Sequence, residues 1–527
     1  MKRAAIPAVI VAALLAASNL LVTALLDLGD AEALYVCYGR HLQLSYLDHP
    51  PLIGWAIGLA ERVLGPTAWA PRSISLISML LAVLFGWLLA RDLYGERAAA
   101  WSAPLLLATP AFAIGTVAAA PDALLAAIWM AFCWQLCRAA REPRSGTLRE
   151  RYGRPVLLGV LAGLGFLAKH TGVMLVLGAL VFSSTRQGRR WLRRPVFWLA
   201  AAIALALASP VLFWNASHGW AGAQHRLVWT QGEAGFSLRN LGALLGGQLL
   251  YIGPLTLVLI GAGALRAWRT RHRPEIAALL AVSLPTLVAG YLLVLWSPVA
   301  EPHWPAVGYL PLLIAAAGAV AEGGRRLRAA ARWAVGLGAA ALAALHVLVS
   351  TPLLPALMPA ESYEPRYDLA NELRGWEEAA AAIRDIRPRP SLVVAAHYTL
   401  CAQLERVLWR ADDPPVRCVT DEIDDFDFWY EPLGAPPPGS WLVTDNRFGH
   451  EVDEVFGGAV QAGRGIDVVV ERGGRAVRRF ELVDLVPPRA DDRTGSPGGR
   501  SAPPAQDQDD GRQREQGECG DDGSQHE

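Results

Sequence analysis

The sequence predicts a mainly α-helical, polytopic membrane protein with about eleven transmembrane helices and a small C-terminal α/β domain. Three observations carry this. Apolar residues fill 53% of the chain and charged residues only 18%, against roughly 25% in an ordinary soluble domain. The apolar residues are gathered into runs close to the ~20 residues that a helix needs to cross a ~30 Å hydrocarbon layer. The runs stop near residue 353, where polar residues and mixed helix and strand signals begin. Disorder as the main state is excluded, as is a small disulfide scaffold. The formal net charge of zero provides no basic field for nucleic acid. The six cysteines form no CxxC pair, which argues against a structural zinc module.

The first run, residues 4–26, has no charge and is longer than the roughly 7–15 residues of a signal-peptide core, so it reads as a retained helix. Further runs follow near 73–90, 98–121, 123–137, 155–168, 172–183, 195–214, 240–265, 276–296, 304–321 and 333–352. Arginines orient them. Lys2 and Arg3 place the N-terminus in the cytoplasm, and the loops at 91–97, 138–154, 186–194, 266–273 and 325–332 are rich in arginine. The alternate loops are poor in it, so the C-terminal domain falls outside, in the periplasm of a bacterium. The runs 155–168 and 172–183 are each short. Read as a tight hairpin, they keep every basic cluster on one side. About 14 residues reach only ~21 Å, so the tip Lys169-His170-Thr171-Gly172 lies below the outer surface.

Ionisable groups then converge on the outer face. The first outer loop, about 27–72, holds Asp27, Asp30, Glu32, His41, Asp48 and His49. Asp122 follows at the next outer turn, then Lys169 and His170 at the hairpin tip. The loop at 214–239 carries Trp214, Asn215, His218, Trp220, His225 and Arg226, and a last turn carries Glu301, His303 and Trp304. Ionisable groups at membrane depth are costly and mark function by default. Only Lys2 and Lys169 are lysines among 48 basic residues, which suggests that position 169 wants a compact ammonium. The plain structural readings are a snorkelling lysine, a Pro121-Asp122 helix start, and interfacial tryptophans.

Several of these residues fall into a familiar pattern. Asp30-Ala31-Glu32-Ala33-Leu34-Tyr35, followed by Tyr46-Leu47-Asp48-His49-Pro50-Pro51, resembles the first periplasmic loop of glycosyltransferase family 39, integral membrane enzymes of the GT-C type. That family includes protein O-mannosyltransferases and lipid A aminoarabinose and galacturonic acid transferases. Pro121-Asp122-Ala123, Leu167-Ala168-Lys169-His170-Thr171, Phe213-Trp214-Asn215 with His218-Gly219-Trp220, and Pro302-His303-Trp304-Pro305 are similar to its later motifs, in order, over roughly residues 5–350. The resemblance implies sugar transfer from a polyprenyl-phosphate-linked donor to a hydroxyl of a lipid, glycan or protein acceptor, in contact with membrane lipids. It implies an acid of the first loop as base. Family members have Asp directly before Glu-Ala, where this chain has Ala31, so Asp30 and Glu32 both stand as catalytic candidates, Asp30 preferred. Lys169 and His49 would hold the donor phosphate, His49 replacing a lysine frequent at that position. Asp48, Tyr35, Asp122, His170, Glu301, His303 and Trp304 would line the substrate site. The clustered acids leave room for a divalent metal, but no ligand set is specific enough to assign one, and there is no nucleotide-binding loop.

The C-terminal part divides into an α/β domain over 353–488 and a disordered tail over 489–527. A helix is expected over 366–386, strands at 391–396, 416–419 and 441–444, a helix over 400–410, and a hairpin around Gly473-Gly474. Residues 424–430 read as a loop packed on the membrane body. Cys401 and Cys418 are candidates for a disulfide in an oxidising compartment. The rival to an enzyme is a transporter or flippase of a polyprenyl-linked or anionic substrate. It predicts internal repeats and polar groups at the midplane, whereas here the polar groups gather at one face.

Overall fold

The computed structural model describes residues 26–141, 152–232, 234–298 and 301–488, with positions 13, 14, 17, 20 and 21 of the first apolar run. The expectations for the first helix, for most of the loop at 138–154 and for the tail at 489–527 lie outside the described residues.

Among the described residues five helices are long and apolar enough to cross a membrane: Trp69–Tyr94, Pro121–Arg141, Pro195–Ser217, Pro274–Trp296 and Arg325–Ser350. Arg154–Ala168, Val173–Ser184 and Ala306–Glu322 are shorter and equally apolar. Pro121, Pro195 and Pro274 each open their helix, where a missing N–H costs nothing. Pro121–Arg141 lies at the centre of the bundle, with Trp129, Met130, Phe132 and Leu136 fully enclosed. Pro195–Ser217 instead presents Trp198, Leu205 and Phe213 outward, the surface expected against lipid. It lies close against Arg154–Ala168 because Gly159 leaves no side chain between them. A Cβ there would sit 2.3 Å from the Ala200 carbonyl oxygen.

Two expected crossings are broken. The run 240–265 forms Leu238–Tyr251 and Pro254–Arg269, bent by 92°. Gly253 at φ +89 reverses the backbone, and Pro254 has no N–H with which to continue the helix. The run 98–121 splits into Glu96–Leu107 and Pro110–Ile114, since Pro110 drives Thr109 into an extended conformation. The short pair around Lys169 does turn back on itself. Seven residues of helix would separate Gly165 and Gly172 by ~10 Å, yet a Cβ on Gly172 would lie 2.1 Å from the Gly165 carbonyl.

The C-terminal domain carries five strands: β1 (Leu392–Ala395), β2 (Val416–Cys418), β3 (Ser440–Asp445), β4 (Gln461–Arg472) and β5 (Arg475–Val486). Their order is β2-β1-β3-β5-β4. β1 runs parallel to β2 and β3, and β5 is antiparallel to β3 and β4. Gly473 and Gly474, both at positive φ, make the β4–β5 turn. Cys401 and Cys418 form a disulfide that ties helix Tyr398–Val407 to β2. The helix expected over 366–386 is two helices, Leu369–Glu372 and Trp376–Asp385, parted at Gly375, φ +89.

The segment expected as the first outer loop is itself folded, into helices Asp30–Arg40 and Leu52–Leu64. Val36, Tyr38 and Ile53 share one apolar core with Trp376, Leu400, Leu404 and Phe480 of the C-terminal domain. Asp425 fastens this joint. Its Oδ2 accepts the Tyr38 hydroxyl at 2.6 Å and its Oδ1 the Leu47 N–H at 2.7 Å. Burial pushes the Asp425 carboxyl up to about 7. Residues 424–430 therefore pack on the first-loop helices, and Phe428 reaches the ring of Trp214 at 5.2 Å.

Candidate active site

Asp30 and Glu32 both sit in the first turn of their helix, where carboxylates face the positive end of the helix dipole. Two residues apart, they face different partners. Glu32 accepts Arg72 Nε at 2.9 Å and Nη2 at 2.8 Å, and the backbone N–H groups of Gly29 and Ala119, each at 2.9 Å. Its four lone-pair positions are filled, so it clamps three segments of chain together and has no room for a proton. Asp30 turns to the C-terminal domain. Oδ2 pairs with Arg447 Nη2 at 2.5 Å, and Oδ1 accepts Gln403 Nε2 at 3.2 Å. The Asp30 N–H donates to Glu372 Oε1 at 2.7 Å. Burial, with Asp30 next, raises the Glu372 carboxyl above its ordinary range.

Asp48 and His49 lie just before Pro50-Pro51, which start helix Leu52–Leu64. Asp48 Oδ1 meets Arg226 Nη2 at 2.5 Å and His225 Nε2 at 3.3 Å, and Oδ2 meets His49 Nε2 at 3.2 Å. Burial pushes the His49 imidazole down to about 4, against the pull of Asp48. Burial would raise Asp48, but its basic neighbours outweigh it and hold the carboxyl well below its usual range. With His49 held neutral, Arg226 supplies a full positive charge opposite Asp48. The Tyr35 hydroxyl lies 3.1 Å from His49 Nε2. Burial, then Asp48 and Asp122, raise that phenol far above its ordinary value, so it keeps its proton. His49 Nδ1 is buried with no partner among the described residues.

Lys169 ends helix Arg154–Ala168 in an extended conformation, which swings its side chain out of the helical path. Nζ donates to both Asp122 oxygens, each at 2.8 Å. The His170 ring meets Phe166 at 5.9 Å. Glu301 and His303 pair at 3.4 Å on a neighbouring turn, and the Trp304 N–H donates to the Glu301 carbonyl at 3.1 Å.

The folded chain thus joins Tyr35, Asp48 and His49 to Arg226 and His225, and sets the Asp122–Lys169 pair near enough for its charges to act on His49. Asp30 stands apart. The charges of both Asp48 and Asp30 act on Tyr398. Arg226, Arg447 and Tyr398 are not among the residues that the sequence singles out for the site. Arg226 carried one signal, as an arginine in an outer loop otherwise poor in them. Arg447 and Tyr398 carried none, because they arrive from the C-terminal domain. Among the described residues no three His, Cys, Asp or Glu side chains converge as a metal-ligand set.

An apolar cavity of about 470 Å³ opens between helices Arg154–Ala168, Val173–Ser184 and Pro195–Ser217, and Phe166, whose ring meets His170, is in its wall. Phe166, Val173 and Leu212 line it near the Lys169 turn, and Trp191 and Val196 line its far end. A charged cluster beside an apolar groove is a site for an amphiphile with an anionic head.

The chain is thus a polytopic helical body with polar groups gathered at one end and a small sheet domain packed against them, and this fold recurs in solved structures. Residues 48–214 match the model of the dolichyl-phosphate-mannose-protein mannosyltransferase family. The lipid A galacturonosyltransferase RgtD of Rhizobium johnstonii is 25% identical over 286 residues, 53% of this chain and 58% of that protein. The undecaprenyl phosphate-alpha-4-amino-4-deoxy-L-arabinose arabinosyl transferase 2 of Proteus mirabilis is 24% identical over 249 residues, 45% of this chain and 44% of that protein. The chain thus spans about half the length of these curated relatives. The crystal structure of ArnT from Cupriavidus metallidurans in the apo state superposes with a TM-score of 0.62 at 16% identity, over 90% of this chain and 97% of that one. ArnT bound to undecaprenyl phosphate gives 0.61 at 15%.

Proposed function

We propose that this protein transfers a sugar from a polyprenyl-phosphate-linked donor to an acceptor hydroxyl on the outer face of a bacterial inner membrane. The observation that carries the reading is the Lys169–Asp122 pair and the Asp48–Arg226 cluster beside the apolar groove. The groove suits an isoprenoid chain and the cations suit its phosphate. The relatives' names, lipid A transferases and ArnT with undecaprenyl phosphate, support the same donor and a lipid A-like acceptor. The Cys401–Cys418 disulfide supports an oxidising compartment for the C-terminal domain, hence an outward orientation with the N-terminus in the cytoplasm.

In this reading the acceptor oxygen attacks the anomeric carbon, the bond from that carbon to the phosphate oxygen breaks, and the polyprenyl phosphate leaves with the electron pair. Lys169 and Arg226 stabilise charge as it builds on the leaving phosphate. Asp30 takes the acceptor proton, since Glu32 has no lone pair left. For His49 the hydrogen bonds favour a role other than phosphate binding. With Nε2 facing the Asp48 carboxylate, the proton sits on Nε2 and Nδ1 offers a lone pair to a sugar hydroxyl.

The test is the purified protein in lipid nanodiscs with undecaprenyl-phosphate aminoarabinose or galacturonic acid, lipid A as acceptor, and product read by mass. A gain of one sugar residue is expected. Donor moving between leaflets of a proteoliposome with no sugar transferred would instead establish the flippase.

A further inference from the structure

A second cavity, of about 300 Å³, opens on the C-terminal domain outside the Lys169 site. Arg366, Tyr367, Glu372, Asn446 and Arg447 are in its wall. Two of these residues also hold Asp30: Arg447 pairs with its carboxylate and Glu372 accepts its N–H. We propose that this cavity is the acceptor subsite, that it takes an anionic saccharide, and that Arg447 couples its occupation to Asp30. The proposal rests on the glycosyl-transfer reading above.

The wall carries Arg366, Arg447 and Arg478 against Asp368 and Glu372, and of these Asp368 and Arg478 are already paired, with Arg472 and Asp445. Arg366 is exposed, its guanidinium lies over the Tyr367 ring at 5.1 Å, and no carboxylate pairs with it among the described residues. Tyr367 is 78% exposed, an aromatic face of the kind that sugar rings stack on. Asn446 lies exposed at the rim beside Arg447. Position specifies how the ligand arrives. Arg472 donates to the carbonyls of Leu348 and Thr351 and to Asp368, which holds this wall to the end of helix Arg325–Ser350. Leu369, in the same wall, and Leu357, shortly after that helix, are exposed apolar side chains. A saccharide anchored in the membrane by lipid chains would present its head here.

Arg447 gives the cavity a consequence for catalysis. It now donates to Asp30 Oδ2, so that lone pair is engaged. A phosphate or carboxylate in the cavity competes for the guanidinium and loosens that bond. The acceptor O–H proton can then move to Oδ2 as the acceptor oxygen bonds the anomeric carbon and polyprenyl phosphate departs with its electrons. The site gains a base when the acceptor is present, which discourages transfer of the sugar to water.

The experiment uses the full chain in nanodiscs with one donor and two acceptors, a disaccharide lipid with and without its phosphates. Wild type should prefer the phosphorylated acceptor. Arg366→Ala should raise its KM about tenfold, leave donor KM in place, and erase the preference. Arg389→Ala, which removes a surface pair with Asp412, should change neither. Arg447→Ala should shift the pH-rate profile, and Arg447→Lys should restore part of it. An unchanged acceptor KM in Arg366→Ala, or an undiminished preference, overturns the proposal. If wild type transfers no sugar at all, the glycosyl-transfer reading fails instead. The cavity is then tested alone by saturation-transfer NMR with glucosamine 1-phosphate. Binding lost in Arg366→Ala sustains the ligand class, and equal signals from both proteins overturn it.

Discussion

Replacing Lys169 by methionine keeps length and removes charge. Nζ now lies 2.8 Å from both Asp122 oxygens, and the Lys169 side chain is only 15% exposed. At an effective dielectric of ~20, a unit pair about 4 Å apart attracts by ~4 kcal/mol. That figure does not become a loss of stability, because the Asp122 side chain is 43% exposed and water takes over when the lysine goes. The net cost to folding should stay under ~1 kcal/mol. The cost to chemistry differs, because the ammonium faces charge that grows as the phosphate leaves. Losing one such preorganised donor costs ~10²–10³ in kcat. Lys169→Met should therefore lose two to three decades (~10²–10³) of transfer rate, while its melting temperature moves by only a few degrees. Lys169→Arg should not recover the wild-type rate, since a planar fork replaces a compact ammonium. The assay is single-turnover transfer from radiolabelled donor, beside thermal unfolding by tryptophan fluorescence. A Lys169→Met protein within about threefold of wild type would refute the reasoning, since a decade of rate is only ~1.4 kcal/mol of barrier.

Two further outcomes separate the first-loop acids and test the domain joint. Glu32→Ala removes the carboxylate from Arg72, a side chain 3% exposed that keeps its bonds to the Leu26 and Asp27 carbonyls, and should cost ~3 kcal/mol of stability, seen as a marked fall in melting temperature. Asp30→Asn should melt close to wild type and bind donor, yet form no product; a Glu32→Ala protein as stable as its parent would contradict the clamp. Asp425 keeps its proton in the folded chain up to about 7, whereas the unfolded chain releases it near ~4. Its contribution to stability is complete below the lower value and is lost as pH rises through the upper one. Asp425→Asn should flatten the melting temperature between about pH 4 and 7, and an unaltered pH profile in that variant would count against it.

Much of this molecule was legible in the residues alone. Long uncharged runs must bury their backbone polar groups as helices, so most helix positions followed from hydropathy. The turn at Lys169 followed from two runs too short to span. The strands and the Gly473-Gly474 hairpin showed as short apolar runs between turn residues. Where the reading failed, a local backbone device intervened: Gly253-Pro254, Thr109-Pro110 and Gly375 each cut a run whose composition is apolar or helical throughout.

The tertiary structure decided which charges meet. Asp30 and Glu32 look equivalent in sequence. Only packing shows that one carboxylate is filled by Arg72 and two backbone N–H groups while the other turns to Arg447, 417 residues away. Asp48 likewise acquires Arg226 from 178 residues along the chain. Hydropathy acts locally and is written into each segment. Ion pairing depends on distance through space, and that is set only once the first-loop helices and the C-terminal domain have closed around one core.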